Sequence, residues 1–588
     1  MPIFDEFLHR MRGAVTIAAL MALGVTVPAT AQVSEYDAGS KILTIPSVSV
    51  GPSVFKNVRL LDVGIYTFAL QSADDAQPGP AVASYDATSG IVTMPAVKVG
   101  ASTYLDVRLR NVGNYVFALE GATELPTATL TAVEEVLRQF AAVFASSTPD
   151  SGAARYPAAL YDSCFRDNGA TRSWLVADYD ANVALRRARD EYAVAFTRRN
   201  VQVTAVRQRA NPDGSSRQEI DVEWESVYRD GSTTRDRTTL IGGSSAGTPG
   251  CTTPQNSAAL RFYGNQQLVG TAVRARTYRF ERYSIATGEP LSPAVRYARR
   301  IDFSITDPLG NATYVIVTGP GPSGSVNGAT VPFSLKFLSP RLLKNAPELQ
   351  GKPGNFLNLP DDDGFRYCRV SDTGVPVVER ADCAGLGATA REWGWTTSTP
   401  NAAGDDGFAA QGWVAGGVYR FDVYADDGWK TVNGHVGKTP VATYYDTLDA
   451  LPYTFVEMAG NGPNDDKFHR LSFGALSPQQ VWANAVSAAP APLAVEWNRP
   501  AALSDNRTMV VWGGWEFHQG PSSANSGGAF YPAYRSLNFT HPGSTSLTNP
   551  AWPVTRTVAG QAGKTYTEYM LQYLDRADSA LLSAVLFQ

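Results

Sequence analysis

Residues 36–70 and 85–119 repeat one another at an offset of 49, and this constrains the 588-residue chain more than any other feature. Tyr36, Asp37, Ala38, Ile42, Thr44, Pro46, Val48, Val50, Gly51, Ser53, Phe55, Val58, Arg59, Leu60, Val63, Gly64, Tyr66, Phe68, Ala69 and Leu70 make up the first copy. The second reads Tyr85, Asp86, Ala87, Ile91, Thr93, Pro95, Val97, Val99, Gly100, Ser102, Tyr104, Val107, Arg108, Leu109, Val112, Gly113, Tyr115, Phe117, Ala118 and Leu119. So many matches at one offset mean a duplicated supersecondary unit. Within each copy apolar residues recur with period two, as at Ile42, Val48 and Val50, then Val58 and Leu60, then Tyr66, Phe68 and Leu70. Punctuated by Gly51 and Gly64, that pattern predicts a short three-stranded meander per copy. One meander buries too little surface to stand alone, so the copies are expected to pack on each other or on a partner. Pro46 and Pro95 cannot donate to a ladder and mark an edge or a bulge.

Over residues 33–122 the units resemble short repeats near the N-termini of exported bacterial proteins, which implies a location more than an activity. The first 31 residues agree. His9, Arg10 and Arg12 precede an apolar run of about 14 residues and the small-x-small site Ala29-Thr30-Ala31, the parts of a secretory signal peptide cleaved after Ala31. No later run reaches the roughly 18 apolar residues of a membrane helix, so no transmembrane segment is expected in the mature chain. A net charge of -5 argues against nucleic acid as the main partner. The four cysteines, Cys164, Cys251, Cys368 and Cys383, suit two disulfides in an oxidising compartment. Cys164 with Cys251 and Cys368 with Cys383 keeps each bridge inside one region.

After Leu125-Pro126 the period changes. Thr131 and Glu134 have capping-box spacing, and Leu130, Val133, Leu137, Phe140 and Phe144 recur as on one helix face. Further helical stretches at 158–161 and 182–196 precede strands at 201–208, 220–228, 233–241, 260–263 and 273–283. Helices first and a long antiparallel sheet afterwards mean α+β. This order, with Ala159-Leu160-Tyr161-Asp162 and a late strand at 260–267, resembles the cone fold of the nuclear-transport-factor-like family. The resemblance implies a curved sheet around helices and a pocket where Tyr161, Asp162, Trp174 and Glu223 point inward. That family uses the pocket for catalysis, for small-molecule binding or for association.

Beyond 286 no long helical period remains, and short strands alternate with Gly/Pro/Asn/Asp loops, which suggests β-sandwich (Ig-like) modules. The reading is thus a multidomain, mainly β chain: signal peptide 1–31, tandem β-meander repeats 32–123, an α+β cone-like domain 127–285, and sandwich regions 286–487 and 493–588. The Ala/Pro segment 488–492 serves as a linker.

Signals for chemistry are weak. Gly243-Ser244-Ser245-Ala246-Gly247 matches the nucleophile-elbow pattern, but it lies between antiparallel strands with no helix behind it. The five histidines lack metal-ligand spacing, and the Asp-Asp-Gly clusters at 361–364, 405–407 and 426–428 read as turns rather than Ca2+ loops. No catalytic residue, metal or cofactor is assigned. Nine of the 11 tryptophans follow residue 390, and Trp393 and Trp395 fall on one face of a strand, where they could stack on a sugar. The expected function is a secreted, cell-surface or periplasmic binding or assembly protein without a catalytic site, its partners being other surface proteins or glycans. The alternatives are a small-molecule or enzymatic pocket in the cone-like domain, or carbohydrate binding by the Trp-rich half.

Overall fold

The computed structural model describes residues 33–338, apart from gaps at 52, 75–80, 101, most of 182–192, 229–232, 285–286, 323, 327–328 and 332. It then describes 366–368, 392–426, 438–459, 468, 470–485, 493–497, 509–519, 531–535, 546–549, 565–574 and 579–587. Residues 1–31, expected as a signal peptide, Cys383, residues 488–492, expected as a linker, and the acidic cluster at 361–364 lie outside these residues. The described part is mainly β and arranged in several sheets.

Each repeat forms four strands, one more than the meander expected from its sequence: β1 (Ser34–Asp37), β2 (Ile42–Val50), β3 (Ser53–Gly64) and β4 (Thr67–Ser72), then β5 (Ala83–Asp86), β6 (Ile91–Val99), β7 (Ser102–Gly113) and β8 (Val116–Glu124). The extra strand is the four-residue β1 or β5, too short to show a period. It decides the architecture. β1 runs antiparallel to the first half of β2 and parallel to the second half of β6, while β5 does the same for β6 and β2. β1 and β5 thus fill one stave end to end, and the sheet β1-β2-β3-β4-β8-β7-β6-β5 closes into a barrel of seven staves. Closure removes the unpaired edges that an isolated meander would expose.

The barrel has an internal twofold axis. Ser34 faces Val97 as Ala83 faces Val48, and the β4·β8 seam is centred on Phe68 opposite Phe117, which are equivalent residues. Leu43, Ile45, Val48, Val58 and Leu60 meet Val92, Met94, Val97, Val107 and Leu109 in one shared core. The prolines sit at interruptions rather than edges. Pro46 lies opposite Asn57 at φ 46° and Pro95 opposite Asp106 at φ 51°, where each ladder steps over both residues.

The next layer is α+β. Helix α1 (Thr127–Ala142), the single turn α2 (Gly152–Arg155) and α3 (Arg172–Ala181) precede β11 (Thr197–Ala210), β12 (Ser216–Val227), β13 (Thr233–Ser244) and β14 (Asn256–Phe262). A two-residue hairpin, β9 (Arg166–Asp167) and β10 (Ala170–Thr171), lies between. Helix α1 starts four residues before Thr131, with Pro126 at its N-cap and no side-chain cap, so Thr131 and Glu134 are interior residues rather than a capping box. The boundary thus lies a full turn upstream of the capping-box spacing. Val133, Val136 and Leu137 pack on Val203, Ile220, Val222, Trp224 and Leu240 of the antiparallel sheet β11-β12-β13-β14.

The strand expected at 273–283 does not extend that sheet. It forms β15 (Gly270–Tyr283), paired antiparallel to β16 (Pro290–Thr306) and parallel to the strand Ala580–Phe587. Strands Thr565–Leu574, Met509–Gln519 and Tyr531–Arg535 continue the same sheet and so join β15, while Leu493–Trp497 pairs with Ser546–Asn549 and Leu471–Ser472 in a separate small sheet. A five-stranded sheet containing β17 (Tyr314–Thr318) and Gly417–Tyr424 packs against it. Val273, Ile301, Phe303 and Ile305 from one sheet meet Val315, Val317, Tyr419 and Phe421 from the other, a two-layer β core.

Candidate functional site

The hairpin joining β3 to β4 turns on Ile65 and Tyr66, both at φ 54°, and the equivalent hairpin in the second repeat turns on Asn114 and Tyr115 at φ 49° and 59°. A two-residue hairpin of this kind needs positive φ at both central positions, which Asn tolerates and a β-branched residue resists. The frame around the turns is the same in both copies. Asp62 and Asn111 each accept a hydrogen bond from the glycine two residues on, at 2.8 Å, and those glycines lie at φ 101° and 106°. Ile65 therefore sits in a strained conformation for which its own duplicate shows the relaxed solution. It does not repay the strain by burial, being 95% exposed.

Its surroundings are also apolar and open. Tyr66 is 72% exposed and Val63 56%, and Leu119, whose amide donates to the Tyr66 carbonyl at 2.9 Å across the β4·β8 seam, is 38% exposed. At the other end of the seam the equivalents Tyr115 and Leu70 are half-buried. A second strained residue borders the first end: Lys41, at φ 59°, replaces Gly90 of the second copy, and its carbonyl accepts the Asp62 amide at 2.8 Å. Sequence comparison of the copies could have located Ile65 and Lys41, since both break the repeat at turn positions. It could not have given their exposure.

The four residues expected to line a cone pocket occupy different settings. Tyr161 is buried in the apolar core, stacked on Phe262 at 5.1 Å and edge-on to Phe165, and burial pushes its phenol up to about 12 despite the neighbouring Arg155. Asp162 is fully buried and paired with Arg261 at 2.7 Å, while also accepting the Cys164 amide at 2.8 Å. The Arg261 guanidinium further donates to the carbonyls of Ser257, Ala259 and Gly243. With its neighbours fixed, Asp162 pins residues 160–166 to β14. Glu223 alternates with Val222 and Trp224 and so lies on the sheet face away from that core, between Gln202 and Arg237 in the ladder. Trp174 is half-buried on α3. Trp393 and Trp395 lie in the strand Glu392–Thr397, opposite Ile301 and Arg299, and their side chains lie outside the described part.

Cys164 and Cys251 form a disulfide with Cα atoms 5.3 Å apart, tying the segment before β9 to the loop after β13. The side chain of Cys368 and all of Cys383 lie outside the described residues. Ser245, at the centre of the elbow-like pattern, is buried beside this bridge and its hydroxyl is held by the backbone of Gln255 at 2.9 and 3.2 Å. Of the acidic clusters, Asp405 binds Arg299 at 2.9 Å and accepts the amides of Phe455 and Val456, which is a structural post.

Two further groups were not legible in the sequence. Arg155 lies over Phe144 at 4.6 Å and Tyr156 at 4.8 Å and pairs with Asp190 at 3.0 Å. Asp446 accepts the amides of Val273 and Thr447, yet burial outweighs those bonds and pushes its carboxyl up to about 6. Among the described residues no group of three or more His, Cys, Asp or Glu side chains converges as metal ligands, and no helix is long and apolar enough to cross a membrane.

No family model matches the chain, and no curated protein matches it. A solved structure described as a tetra-tandem repeat in the extending region of a large adhesion protein is similar at 10% identity over 64% of this chain and 61% of that one, with a TM-score of 0.11. A superposition of that quality carries no argument about fold or function.

Proposed function

We propose that this chain is an exported, non-enzymatic binding protein of the cell surface or its surroundings, and that it docks a protein partner through the first-repeat hairpin. The observation that carries the reading is Ile65, an isoleucine held at positive φ and left in water where the equivalent residue of the second copy is asparagine. Strain without a folding benefit marks a position kept for another purpose. Together with Val63, Tyr66 and Leu119 it offers an apolar knob suited to a hydrophobic cleft on another protein. The signal-like N-terminus and the Cys164–Cys251 bridge support an oxidising, extracytoplasmic setting. The α+β region is read here as a nuclear-transport-factor-like cone used as a scaffold, because Tyr161 and Asp162 are spent on packing and pairing.

The test is surface binding by the purified full-length chain. Labelled parent protein is expected to bind the envelope of the producing cells saturably, and the double variant Ile65→Asn, Tyr66→Ser to lose at least tenfold in affinity while keeping the parent circular dichroism spectrum. Equal binding by parent and variant sinks the reading. Binding that survives in the variant but is competed by oligosaccharides would move the site to the Trp-rich half.

A further inference from the structure

The three ladders that join the two repeats are each carried onto themselves, or onto one another, by exchanging the copies. Ser34, Glu35 and Tyr36 face Val97, Lys98 and Val99, and Ala83, Ser84 and Tyr85 face Val48, Ser49 and Val50 at equivalent places. The β4·β8 seam, Phe68 opposite Phe117, is its own image. The ring contacts beneath the seam repeat as well, Tyr36 edge-on to Phe68 at 6.0 Å and Tyr85 edge-on to Phe117 at 6.4 Å. Each repeat therefore presents to the other a surface that it also carries itself. We infer that a repeat of one copy of this chain closes the same seven-stave barrel with a repeat of a second copy, making the N-terminal region an intermolecular assembly element.

The side chains at the joint permit any combination of copies. Where the copies differ in the shared core, Leu43 against Val92 and Ile45 against Met94 exchange apolar for apolar, and Phe55 against Tyr104 exchanges one ring for another. Pairing two first repeats sets Glu35 beside Ser49, and pairing two second repeats sets Ser84 beside Lys98, so no like charges meet. An isologous contact of this kind needs one patch that complements itself, which the internal twofold axis provides. Within one chain the second repeat is present at an effective concentration of order mM, so at µM concentrations the intrachain barrel wins and exchange grows with protein concentration. This inference rests on the barrel joint and not on the Ile65 hairpin.

The experiment uses full-length chains carrying Ser49→Cys or Ser84→Cys, whose Cα positions are ladder partners between β2 and β5. The two variants are mixed, unfolded, refolded together over a range of concentrations and oxidised. The expected result is a cross-linked heterodimer that is near background at about 1 µM and reaches roughly a tenth of the chains at about 100 µM. Either variant alone should stay at the parent's background. As a second arm, a chain lacking residues 33–81 is expected to run as a dimer by light scattering and to revert to monomer with Phe117→Asp. A background-level cross-link at every concentration, from variants whose β2 and β5 amides are protected against hydrogen exchange, overturns the proposal. If the shortened chain does not protect its β5 and β6 amides, the cross-linking result decides alone.

Discussion

The two repeats share a backbone and differ in what they do at two turns. Both place an aspartate or asparagine before a glycine and close a two-residue hairpin, and both send a tyrosine hydroxyl to that residue, Tyr36 donating to Asp62 at 2.7 Å and Asn111 donating to Tyr85 at 3.3 Å. At the turn itself the second copy obeys local backbone chemistry with Asn114 and, in the preceding hairpin, Gly90. The first copy departs from it with Ile65 and Lys41, both at positive φ. The duplication therefore contains its own control. Residues that agree between copies are those the barrel requires, and residues that disagree at a cost in strain are ones it does not.

The comparison can be broken at its core first. Leu60 and Leu109 are equivalent and 2% and 1% exposed, so Leu60→Ala and Leu109→Ala should each cost about 2–5 kcal/mol. Their costs should agree within about 1 kcal/mol, read from hydrogen exchange of peptides spanning β3 and β7. Unequal losses would mean the copies are not energetically equivalent. The turn comes next. Ile65→Asn should stabilise the barrel by about 1 kcal/mol and Asn114→Ile should destabilise it by a similar amount, because only the isoleucine resists positive φ. The same Ile65→Asn change should weaken surface binding, and a variant both more stable and fully active would detach the strain from function.

A smaller gain, about 0.5–1 kcal/mol, is expected from Lys41→Gly, which converts the first copy to the second at a left-handed residue. Thermal melting of the full chain alongside Gly90→Lys, which should lose a comparable amount, checks it. The smallest effect concerns pH. The Tyr36 hydroxyl and the Gly64 amide hold the Asp62 carboxyl below its ordinary value of 3.8, so this turn is stabilised above that pH and loses the contribution as pH falls through the depressed value. Asp62 is half-buried at the barrel surface, where solvent screens its contacts, so the effect is under about 1 kcal/mol. Asp62→Asn should make the acid limb of the first repeat as flat as that of the second, followed as tyrosine fluorescence of the barrel between pH 5 and 2. An unchanged acid limb would remove Asp62 as the titrating difference.

Asp446 titrates in the opposite sense. Its carboxyl is raised to about 6 by burial, so stability is unaffected below 3.8 and falls as pH rises towards 6. This partly buried carboxyl beside β15 is thus favoured in its neutral form under mildly acidic conditions. Neither its burial nor its two amide partners could be read from the chain around it, since Val273 lies 173 residues away.

Duplication, strand period, turn glycines and the Cys164–Cys251 pairing were legible because each is written in local spacing or in a count of cysteines. Pro46 was legible as an irregularity, and only the ladder showed it to be an interruption within a paired strand. The missing parts are non-local. The four-residue β1 and β5 carry no period, yet they close the barrel, and the last strand, Ala580–Phe587, reads like any hairpin arm until it is seen beside β15. Tyr161 and Asp162 are buried, but Arg261 is 99 residues from Asp162, and no pattern in the sequence foretells that partner. The sequence by itself determined that residues 36–119 hold two equivalent β units and where each would turn. The tertiary structure alone decided which strand each edge would find, because side-chain alternation is set by neighbours along the chain while pairing is set by surfaces that meet only after folding.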